Sequence, residues 1–457
     1  GVIPSNEGRG YVLRRIIRRA IRHGYQSGYK APFLHLLVDS LVNEMGDAFP
    51  ELRQASDKVK RVLKQENEKF NETLDQGLKI LDQEMDNLSG KTIPGEVVFK
   101  LYDTYGFPAD LTADVAREHG LEIDSAVFER AMDAQRQRAR SASQFNQGEQ
   151  VRIAGLEKTP FVGYQDLEYA VKTVALVRDD APVEKLDEGN EGIVVLAETP
   201  FYAESGGQVG DRGTISFSDA VFTVNDTRYL ANKVIGHFGT VKSGAISLNQ
   251  AGTATVESEG RYASANNHSA THLLHAALRQ VLGEHVEQKG SLVEPRRLRF
   301  DFSHFEPVSD EQIIQIEMLV NEHIRANHAV KVDTMDLDEA RSAGAAALFG
   351  EKYDALVRVV RMGEFSFELC GGTHVTRTGD IGYFKMLSET GIAAGVRRVE
   401  AVTGVAAGLF VSDQVTVLSQ LASTLKTAPD RVTERVVGLV ESHKQQQKQI
   451  QALQAKL

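Results

Sequence analysis

Apolar residues recur mostly at three- and four-residue steps along residues 51–89, which is the period of a helix with one buried face. Ser89 and Gly90 predict where this helix ends, because glycine is common just past a helix end. A second helical pattern near residues 125–140 runs into a small, polar stretch at 141–150, where we predict a domain boundary. Residues 1–150 are therefore predicted to form an all-α domain. The apolar positions of the long helix are Val59, Leu63, Phe70, Leu74, Leu78, Leu81, Met85 and Leu88.

Residues 11–23 combine a helical period with a high density of arginine. Leu13, Ile16, Ile17 and Ile21 are predicted to form the apolar face of this first helix, and the arginines the opposite face. A helix that concentrates arginine in this way is a candidate phosphate-binding surface. It fits equally well a solvated face that pairs with acidic residues elsewhere. The arginines are Arg14, Arg15, Arg18, Arg19 and Arg22.

From residue 151 the pattern changes to short β-rich runs separated by turns, which is typical of a barrel or a sandwich. We assign residues 151–257 to a small β-barrel and residues 258–410 to a mixed α+β domain. Residues 411–457 return to helical spacing, and the helix is still running at the last residue, which indicates truncation. The predicted fold class is multidomain α+β, with a helical N-terminal domain, a barrel, a mixed domain and a C-terminal helix.

The composition is that of an ordinary globular protein, with 42% hydrophobic and 25% charged residues, and 457 residues suggest about three domains. No apolar run reaches the roughly 18 residues of a membrane helix, and no secretory signal opens the chain, so we predict no membrane partner. A single cysteine fits the reducing cytoplasm. The net charge of −11 argues against uniform coating of nucleic acid but leaves local basic patches open.

Two short stretches carry residue types that bind metals. His268 and His272 lie four residues apart in a helical pattern, so their side chains share a face. Cys370 and His374 have the same spacing, and the two glycines between them allow a tight turn. Three imidazoles and one thiolate form a reasonable zinc site, and the only cysteine of the chain cannot form an intramolecular disulfide. We predict one zinc ion in the mixed domain.

Other interpretations of these histidines remain open. The pair on the helix also fits core packing, because three leucines lie beside it. His275 is about one turn from His272, and we interpret it as a histidine that packs the helix or supports a ligand rather than as a ligand itself. A zinc peptidase is disfavoured, since Ser269 and not glutamate follows His268, so the usual general base is missing.

Seven motifs in this order make the chain resemble the bacterial alanyl-tRNA synthetases. They lie at residues 5–10 with the helix that follows, 101–112, 199–211, 268–272, 285–290, 370–374 and 391–401. The resemblance implies an internal segment of such an enzyme. Residues 1–150 would recognise tRNA, 258–410 would be the editing domain beside its barrel, and 411–457 would begin an oligomerisation region for self-association. The class II catalytic domain, which uses ATP and Mg²⁺, would precede Gly1, and a large C-terminal domain would follow Leu457.

The resemblance also implies a hydrolytic function. A small alanine pocket cannot strongly exclude serine or glycine, so such enzymes add a second site that hydrolyses mischarged tRNA(Ala). Zinc would orient the substrate or activate water there. Gln288 matches a residue that lines the family's editing pocket, and Cys370 matches one on which function depends. From the residues alone, Gln288 fits a polar surface position on a strand.

The partner implied by the resemblance is tRNA(Ala). Asn6 and Asp103 stand where related enzymes read the G·U wobble pair of the acceptor stem, although Asn6 also fits a helix cap and Asp103 a loop hydrogen bond. The other predicted tRNA-binding residues are the five arginines of the first helix and, beside the glycine-rich turn, Arg397 and Arg398. The alternative function is a non-catalytic tRNA-binding module with a structural zinc, which four protein ligands favour.

Overall fold

The computed structural model describes residues 2–5, 8–88, 90–144, 155–156, 158–346, 354–393 and 395–454. The first part of the chain is helical around one apolar core that contains Phe70, Leu74 and Leu101, as the sequence predicts. Its elements are α1 Gly8–Gln26, α2 Leu37–Met45, α3 Pro50–Asp86, β1 Thr92–Ile93, α4 Gly95–Tyr105, α5 Ala109–Glu118, β2 Glu122–Ile123 and α6 Ser125–Gln144. The short parallel pairing of β1 with β2 is the one departure from an all-α region among the described residues.

The long apolar pattern becomes α3. It begins at Pro50, where the fixed φ of proline suits the first helical turn, and it ends at Asp86, slightly before the predicted end. Ser89 lies outside the described residues. The buried side of α3 carries Phe70, Leu74 and Leu81, which the pattern places on the apolar face.

The predicted division of α1 into an apolar and a basic face is wrong in part. Arg14 and Arg22 are buried, whereas Ile16 is 62% exposed. Arg14 and Arg18 pair with the buried Glu66 of α3, and Arg22 pairs with a carboxylate at the end of α5. Because neighbouring helices supply these carboxylates, arginines can enter the interior of this domain.

The second part of the chain closes into a six-stranded barrel, which confirms the barrel prediction. Its strands follow the order β11–β7–β8–β9–β6–β3, and β3 closes the ring by pairing with β11. Apolar side chains such as Leu176, Phe222 and Val241 fill the inside. The six barrel strands are β3 Glu168–Arg178, β6 Glu191–Leu196, β7 Gly213–Phe217, β8 Val221–Tyr229, β9 Ile235–Ser243 and β11 Ala251–Val256. Of the three short strands beside them, β4 Ala181–Val183 pairs with β3, and β5 Lys185–Asp187 pairs with β10 Ala245–Ser247.

The mixed part places a long helix against two antiparallel sheets. Helix α7 packs on a four-stranded sheet of order β12–β13–β18–β17, and a three-stranded sheet, β14–β15–β16, adjoins it. Leu273, Leu274 and Leu278 of α7 are fully buried in this core. The elements are α7 Ser258–Leu282, β12 Gln288–Val293, β13 Leu298–Ser303, α8 Asp310–Arg325, β14 Val330–Asp336, α9 Leu337–Ser342, β15 Leu356–Met362, β16 Ser366–Leu369, β17 Phe384–Ala393 and β18 Val396–Thr403.

Two helices, α10 Gly404–Thr424 and α11 Val432–Gln454, follow and are mostly exposed. By length and composition α10 is apolar enough to cross a membrane, which differs from the sequence prediction. The difference arises because serines, threonines and Asp413 interrupt its apolar residues, so the high mean hydropathy does not come from an unbroken run. A single helix of this kind is weak evidence for a membrane span.

Candidate metal centre and its cavity

Helix α7 and the loop after β16 bring the four predicted metal ligands together. His268 and His272 lie one turn apart on α7, with their rings stacked at 5.3 Å between centroids. Cys370 and His374 belong to residues 370–374, here called the ligand loop. The four ligand atoms lie within 4.8 Å of one another, and this is the one such cluster found among the described residues.

Each of the three imidazoles has its Nδ1 atom beside a polar side chain. His268 Nδ1 lies 2.7 Å from Gln208 Oε1, and His272 Nδ1 bonds to the carboxylate of Glu368. His374 Nδ1 lies 3.3 Å from a serine hydroxyl of α7. We assign the ring proton to Nδ1 because these oxygens can accept it. The three Nε2 atoms are then left to face the centre of the cluster.

The Nε2 atoms surround the sulfur. His268 Nε2 and His374 Nε2 lie 3.4 and 3.2 Å from Cys370 Sγ. His272 Nε2 is buried and has no hydrogen-bond partner among the described residues. A buried polar atom without a partner is costly, and a metal ion would supply the missing partner. The donor set therefore fits a metal site.

Glu368 links the cluster to a second histidine. Its carboxylate accepts from His272 Nδ1 on one oxygen and from His275 Nδ1, at 2.7 Å, on the other. His275 therefore lies beside the cluster without joining it, as the sequence interpretation expects. Carboxylates that fix a histidine in this way are common behind metal ligands.

The charges of the cluster favour a thiolate. Burial raises the pKa of Cys370, but the imidazoles of His268 and His374 outweigh burial and hold that pKa well below its usual value. Burial disfavours charged His272, yet Glu368 and the sulfur raise its pKa to about 10. Burial lowers the pKa of His374 to about 3. Metal binding at this cluster would compete with protonation of His272, because a metal binds a neutral imidazole and a thiolate.

Gly372 is required by close packing in the ligand loop. A Cβ atom at this position would lie 2.1 Å from Cε1 of the His268 ring. Any side chain would therefore push the loop away from α7 and separate the two ligand pairs. The Gly-Gly pair in the sequence indicates this approach but does not reveal its partner.

A cavity of about 770 Å³ opens beside the cluster. The mixed domain contributes His268, Cys370 and the predicted pocket residue Gln288, which is the first residue of β12. The barrel side contributes aromatic residues and Lys158. Hydrogen bonds join the two sides, because Gln208 Nε2 donates to Thr373 Oγ1 at 2.8 Å. The cavity therefore lies between the barrel and the ligand loop.

Comparisons with known proteins identify the family. A family model described as tRNA synthetases class II (A) matches residues 1–260, and one described as the threonyl and alanyl tRNA synthetase second additional domain matches residues 357–400. The chain belongs to the class II (A) tRNA synthetase family. The second match contains the ligand loop. The first match assigns residues 1–260 to the class II family and does not show that this chain lacks a class II catalytic domain. The expected absence of that domain therefore stays a prediction.

Curated relatives of this chain are named alanine–tRNA ligase. One from Idiomarina loihiensis is 55% identical over 457 residues, and one from Methylococcus capsulatus is 56% identical over 456 residues. In both cases the alignment covers 100% of this chain and 53% of the relative. The chain therefore spans about half the length of the curated relatives that it matches.

Three of the predicted tRNA-binding residues, Asp103, Arg14 and Arg18, line a second cleft. Asp103 lines this cleft of about 310 Å³ together with Lys69 of α3 and Gly395 of the hairpin between β17 and β18. Asp103 Oδ1 accepts from Gln135 Nε2 at 2.7 Å. Because Asp103 lies in α4 and Gln135 in α6, this bond joins two helices, and the predicted loop position of Asp103 is wrong. Asn6 lies outside the described residues.

The predicted tRNA-binding arginines differ in their access to solvent. Arg14, Arg18 and Arg22 are engaged with carboxylates inside the helical domain, as described above. Arg397 and Arg398 each form two hydrogen bonds with one carboxylate. Those carboxylates are Glu389 and Asp301. The side chains of Arg15 and Arg19 are 44% and 48% exposed and pair with Asp110 and Asp114 at the surface.

Sequence reasoning missed several residues that shape the centre. Gln208 lies within the motif at 199–211, which from the sequence is only a glycine-rich connection between strands. Glu368 stands two residues before Cys370, and that proximity is the one signal it offers. Arg358 Nη1 donates to the Cys370 and Gly372 carbonyl oxygens at 2.8 and 3.0 Å and so fixes the ligand loop. No local pattern marks Arg358.

Proposed function

We propose that the chain hydrolyses tRNA(Ala) that carries serine or glycine, as part of an enzyme that attaches alanine to tRNA(Ala) with ATP. The observation that carries this proposal is the clustering of His268, His272, Cys370 and His374 beside a cavity that the first three of them line together with Gln288. The match to the second additional domain of threonyl and alanyl tRNA synthetases and the relatives named alanine–tRNA ligase support it.

The metal is proposed to be zinc, held by His268, His272, Cys370 and His374. Mixed nitrogen and sulfur ligands in a set of four are typical of zinc. Hydrolysis forms a bond from the water oxygen to the ester carbonyl carbon and breaks the bond from that carbon to the ribose oxygen. A proton from the water passes to the ribose oxygen, so that the free amino acid and the ribose hydroxyl are released. Zinc in this place would supply positive charge to polarise the carbonyl or the water. Gln288, whose amide can donate and accept, is proposed to hold the aminoacyl part.

A hydrolysis assay tests the function. The chain, reconstituted with zinc, is expected to release serine from seryl-tRNA(Ala) and to leave alanyl-tRNA(Ala) largely intact, and a chelator should abolish the release. Gln288→Ala should lower the rate without removing zinc, because its side chain lines the cavity but is not among the four clustered ligands. Release of serine at the uncatalysed rate by zinc-loaded protein would overturn the proposal.

The second candidate is a tRNA-binding module with a structural zinc. One observation favours it: four protein ligands leave a tetrahedral ion with no open position. In that case chelation would unfold the mixed domain, and zinc-loaded protein would still bind tRNA(Ala) without releasing serine. The hydrolysis assay therefore separates the two candidates.

The helical domain is proposed to bind the acceptor stem of tRNA(Ala) at the cleft around Asp103. Asp103, with Asn6, would read the G·U pair, and the exposed Arg15 and Arg19 would contact phosphates. The hairpin that carries Arg397 and Arg398 reaches the same cleft through Gly395, which supports a role for these two arginines near the stem. Asp103→Ala should lower the preference of the protein for tRNA(Ala) with the G·U pair over a tRNA variant that has a Watson–Crick pair at the same position of the acceptor stem.

Replacing Arg15 and Arg19 together with glutamate should weaken tRNA binding and flatten its dependence on salt. Each lost phosphate contact removes roughly 0.9 from the slope of log K against log salt for a duplex. Titration of labelled tRNA(Ala) at several salt concentrations measures both quantities. Arg178→Glu in the barrel, where the side chain is 49% exposed, is the matched control and should change little. If the wild type and the double variant have equal slopes of log K against log salt, Arg15 and Arg19 of α1 do not contact tRNA phosphates.

We also propose that domain boundaries lie near residues 150, 257 and 410 and that the protein is located in the cytoplasm. Self-association through residues 411–457 is also proposed. Exposed apolar residues on both C-terminal helices support it, among them Val415, Leu418, Val437 and Ile450, because contiguous exposed apolar surface marks interaction sites.

A further inference from the structure

Gln208 is a fully buried glutamine between the barrel and the mixed domain. It lies in the motif at 199–211, which connects β6 to β7. Its backbone is fixed against the edge strand β12, because Val209 N donates to Val293 O at 3.1 Å and Val293 N donates to Gly207 O at 2.7 Å. A buried amide side chain has to find its hydrogen-bond partners within the protein, so those partners show what it holds.

The Gln208 side chain contacts both pairs of metal ligands. Its Oε1 atom accepts from the backbone N–H of Thr373 at 3.0 Å, and Thr373 directly precedes the ligand His374. The same oxygen lies 2.7 Å from Nδ1 of His268, and Nε2 of Gln208 donates to the Thr373 hydroxyl at 2.8 Å. One side chain from the barrel therefore joins α7 to the ligand loop.

These contacts determine which ring nitrogen of His268 carries its proton. A backbone N–H can only donate, so the amide oxygen of Gln208, and not its NH₂ group, faces Thr373. Because this oxygen also faces His268 Nδ1, the imidazole donates from Nδ1. Its Nε2 atom then keeps a lone pair toward the Cys370 sulfur, 3.4 Å away. A metal binds the nitrogen that is left unprotonated in this way.

The orienting groups of the other two ligand histidines belong to the mixed domain. A carboxylate of β16 accepts from His272, and a serine hydroxyl of α7 lies beside His374. Gln208 comes instead from the barrel, so the orientation of His268 depends on how the barrel docks. Without an acceptor at Nδ1, the proton of the neutral ring would be free to sit on Nε2 and donate to the sulfur. That arrangement would exclude a metal from Nε2.

We propose that Gln208 is a positioning residue of the metal centre, through which the docked barrel fixes the tautomer of His268 and the spacing between α7 and the ligand loop. Gln208 is not among the residues that line the cavity, so it acts through the ligands and not on the substrate. Metal binding and barrel docking are then coupled, since each favours the arrangement that the other needs. This inference rests on the proposed zinc site and deacylase function.

The test measures the zinc affinity of the whole chain by competition with a zinc-binding dye. Gln208→Met fills similar space without an acceptor and should bind zinc about 10- to 100-fold more weakly, as expected when the group that orients a metal-bound histidine is lost. Gln208→Glu keeps an oxygen opposite His268 Nδ1 and should restore most of the affinity. Gln250→Met is the matched control and should bind zinc like the wild type, because this barrel glutamine bonds to Ser247 and Asp219 at the surface.

Nitrogen NMR of the metal-free chain with isotope-labelled histidine gives a second readout, which a merely structural role would not change. At about pH 8, above the ordinary histidine pKa of about 6.5, the His268 signals should show the proton on Nδ1 in the wild type and in Gln208→Glu. In Gln208→Met they should show it on Nε2. Their disappearance in His268→Asn assigns the signals.

Equal zinc affinity of the wild type and Gln208→Met, or an unchanged His268 tautomer in Gln208→Met, would overturn this inference while leaving the zinc site intact. Equally weak binding by Gln208→Met and Gln208→Glu would also overturn it, because the amide would then only fill space. A wild-type chain that binds no zinc would refute the metal site and the inference together. If Gln208→Met binds zinc more weakly but the zinc-loaded wild type hydrolyses nothing, the positioning role is supported and the deacylase function is refuted.

Discussion

Replacing Cys370 with alanine is expected to abolish zinc binding and to slow the hydrolysis of seryl-tRNA(Ala) by about a thousandfold or more. The substitution removes the sulfur around which the Nε2 atoms of His268 and His374 are arranged. A bound ion contributes several kcal/mol to transition-state stabilisation, and about 4 kcal/mol corresponds to a thousandfold change in rate. His268→Ala should have the same effect on both quantities.

Elemental analysis of the purified, refolded variants and the serine-release assay measure this prediction. His443→Ala, at an exposed histidine of α11 far along the chain from the cluster, is the control and should keep one zinc and full activity. Stoichiometric zinc in Cys370→Ala would show that the cluster is not the metal site. Loss of zinc with unchanged hydrolysis would assign the ion a purely structural role.

Glu368→Gln should weaken zinc binding without abolishing it, so its effect should be smaller than that of Cys370→Ala. The carboxylate accepts from both His272 and His275, whereas an amide offers one accepting oxygen and turns its NH₂ group toward the other imidazole. Loss of a carboxylate behind a metal-bound histidine typically lowers metal affinity by about 10- to 100-fold. Competition with a zinc-binding dye measures the affinity. Glu364→Gln, at an exposed position nearby in the chain, should leave it unchanged.

The two pairs of clustered residues, His268 with His272 and Cys370 with His374, could be predicted from the sequence because the geometry within each pair is local. Two histidines four residues apart on a helix share a face whatever surrounds the helix, and the Gly-Gly turn acts within five residues. The groups that orient the ligands are not local. Gln208 lies 60 residues from His268, and Glu368 lies 96 residues from His272. Only the folded chain brings these partners together.

The error on α1 has the same physical origin. An amphipathic pattern assumes one buried face, but α1 contacts carboxylates on two neighbouring helices. Arg14 and Arg18 share Glu66, which is 48 residues from Arg18. A buried cation is tolerated only when such a partner exists, and the pattern of α1 alone does not contain the partner. Helix and barrel could be predicted from periodicity, whereas the burial of charge could not.

The second large effect is expected from Arg261→Met, which should lower the free energy of unfolding by about 3–5 kcal/mol. Arg261, near the start of α7, is buried and pairs with the buried Asp211 at the end of the motif at 199–211. Its guanidinium also donates to the Gly163 and Pro200 carbonyl oxygens at 2.5 and 2.7 Å. Removing one partner of a buried ion pair leaves the other charge uncompensated, and that is the costly case.

Urea denaturation of the wild type, Arg261→Met, Asp211→Asn and the double variant gives a double-mutant cycle, which measures the coupling free energy between the two residues. The double variant should lose less stability than the sum of the single variants, because neither charge is then left alone. Arg228→Met, in a partly exposed pair with Asp226, is the control and should cost about 1 kcal/mol or less. Additive losses would mean that Arg261 stabilises the chain only through its bonds to the backbone.

Arg261 and its partner Asp211 also hold two residues of the cavity wall in place. Arg261 lies 5.8 Å from the centre of the Phe161 ring, and Asp211 accepts from the backbone N–H of Tyr202 at 2.6 Å. Both aromatic residues belong to the cavity wall. At a temperature where Arg261→Met is still folded, its KM for seryl-tRNA(Ala) should rise while its zinc content stays at one per chain, because the metal ligands do not depend on this pair. An unchanged KM would show that the cavity wall keeps its shape without Arg261.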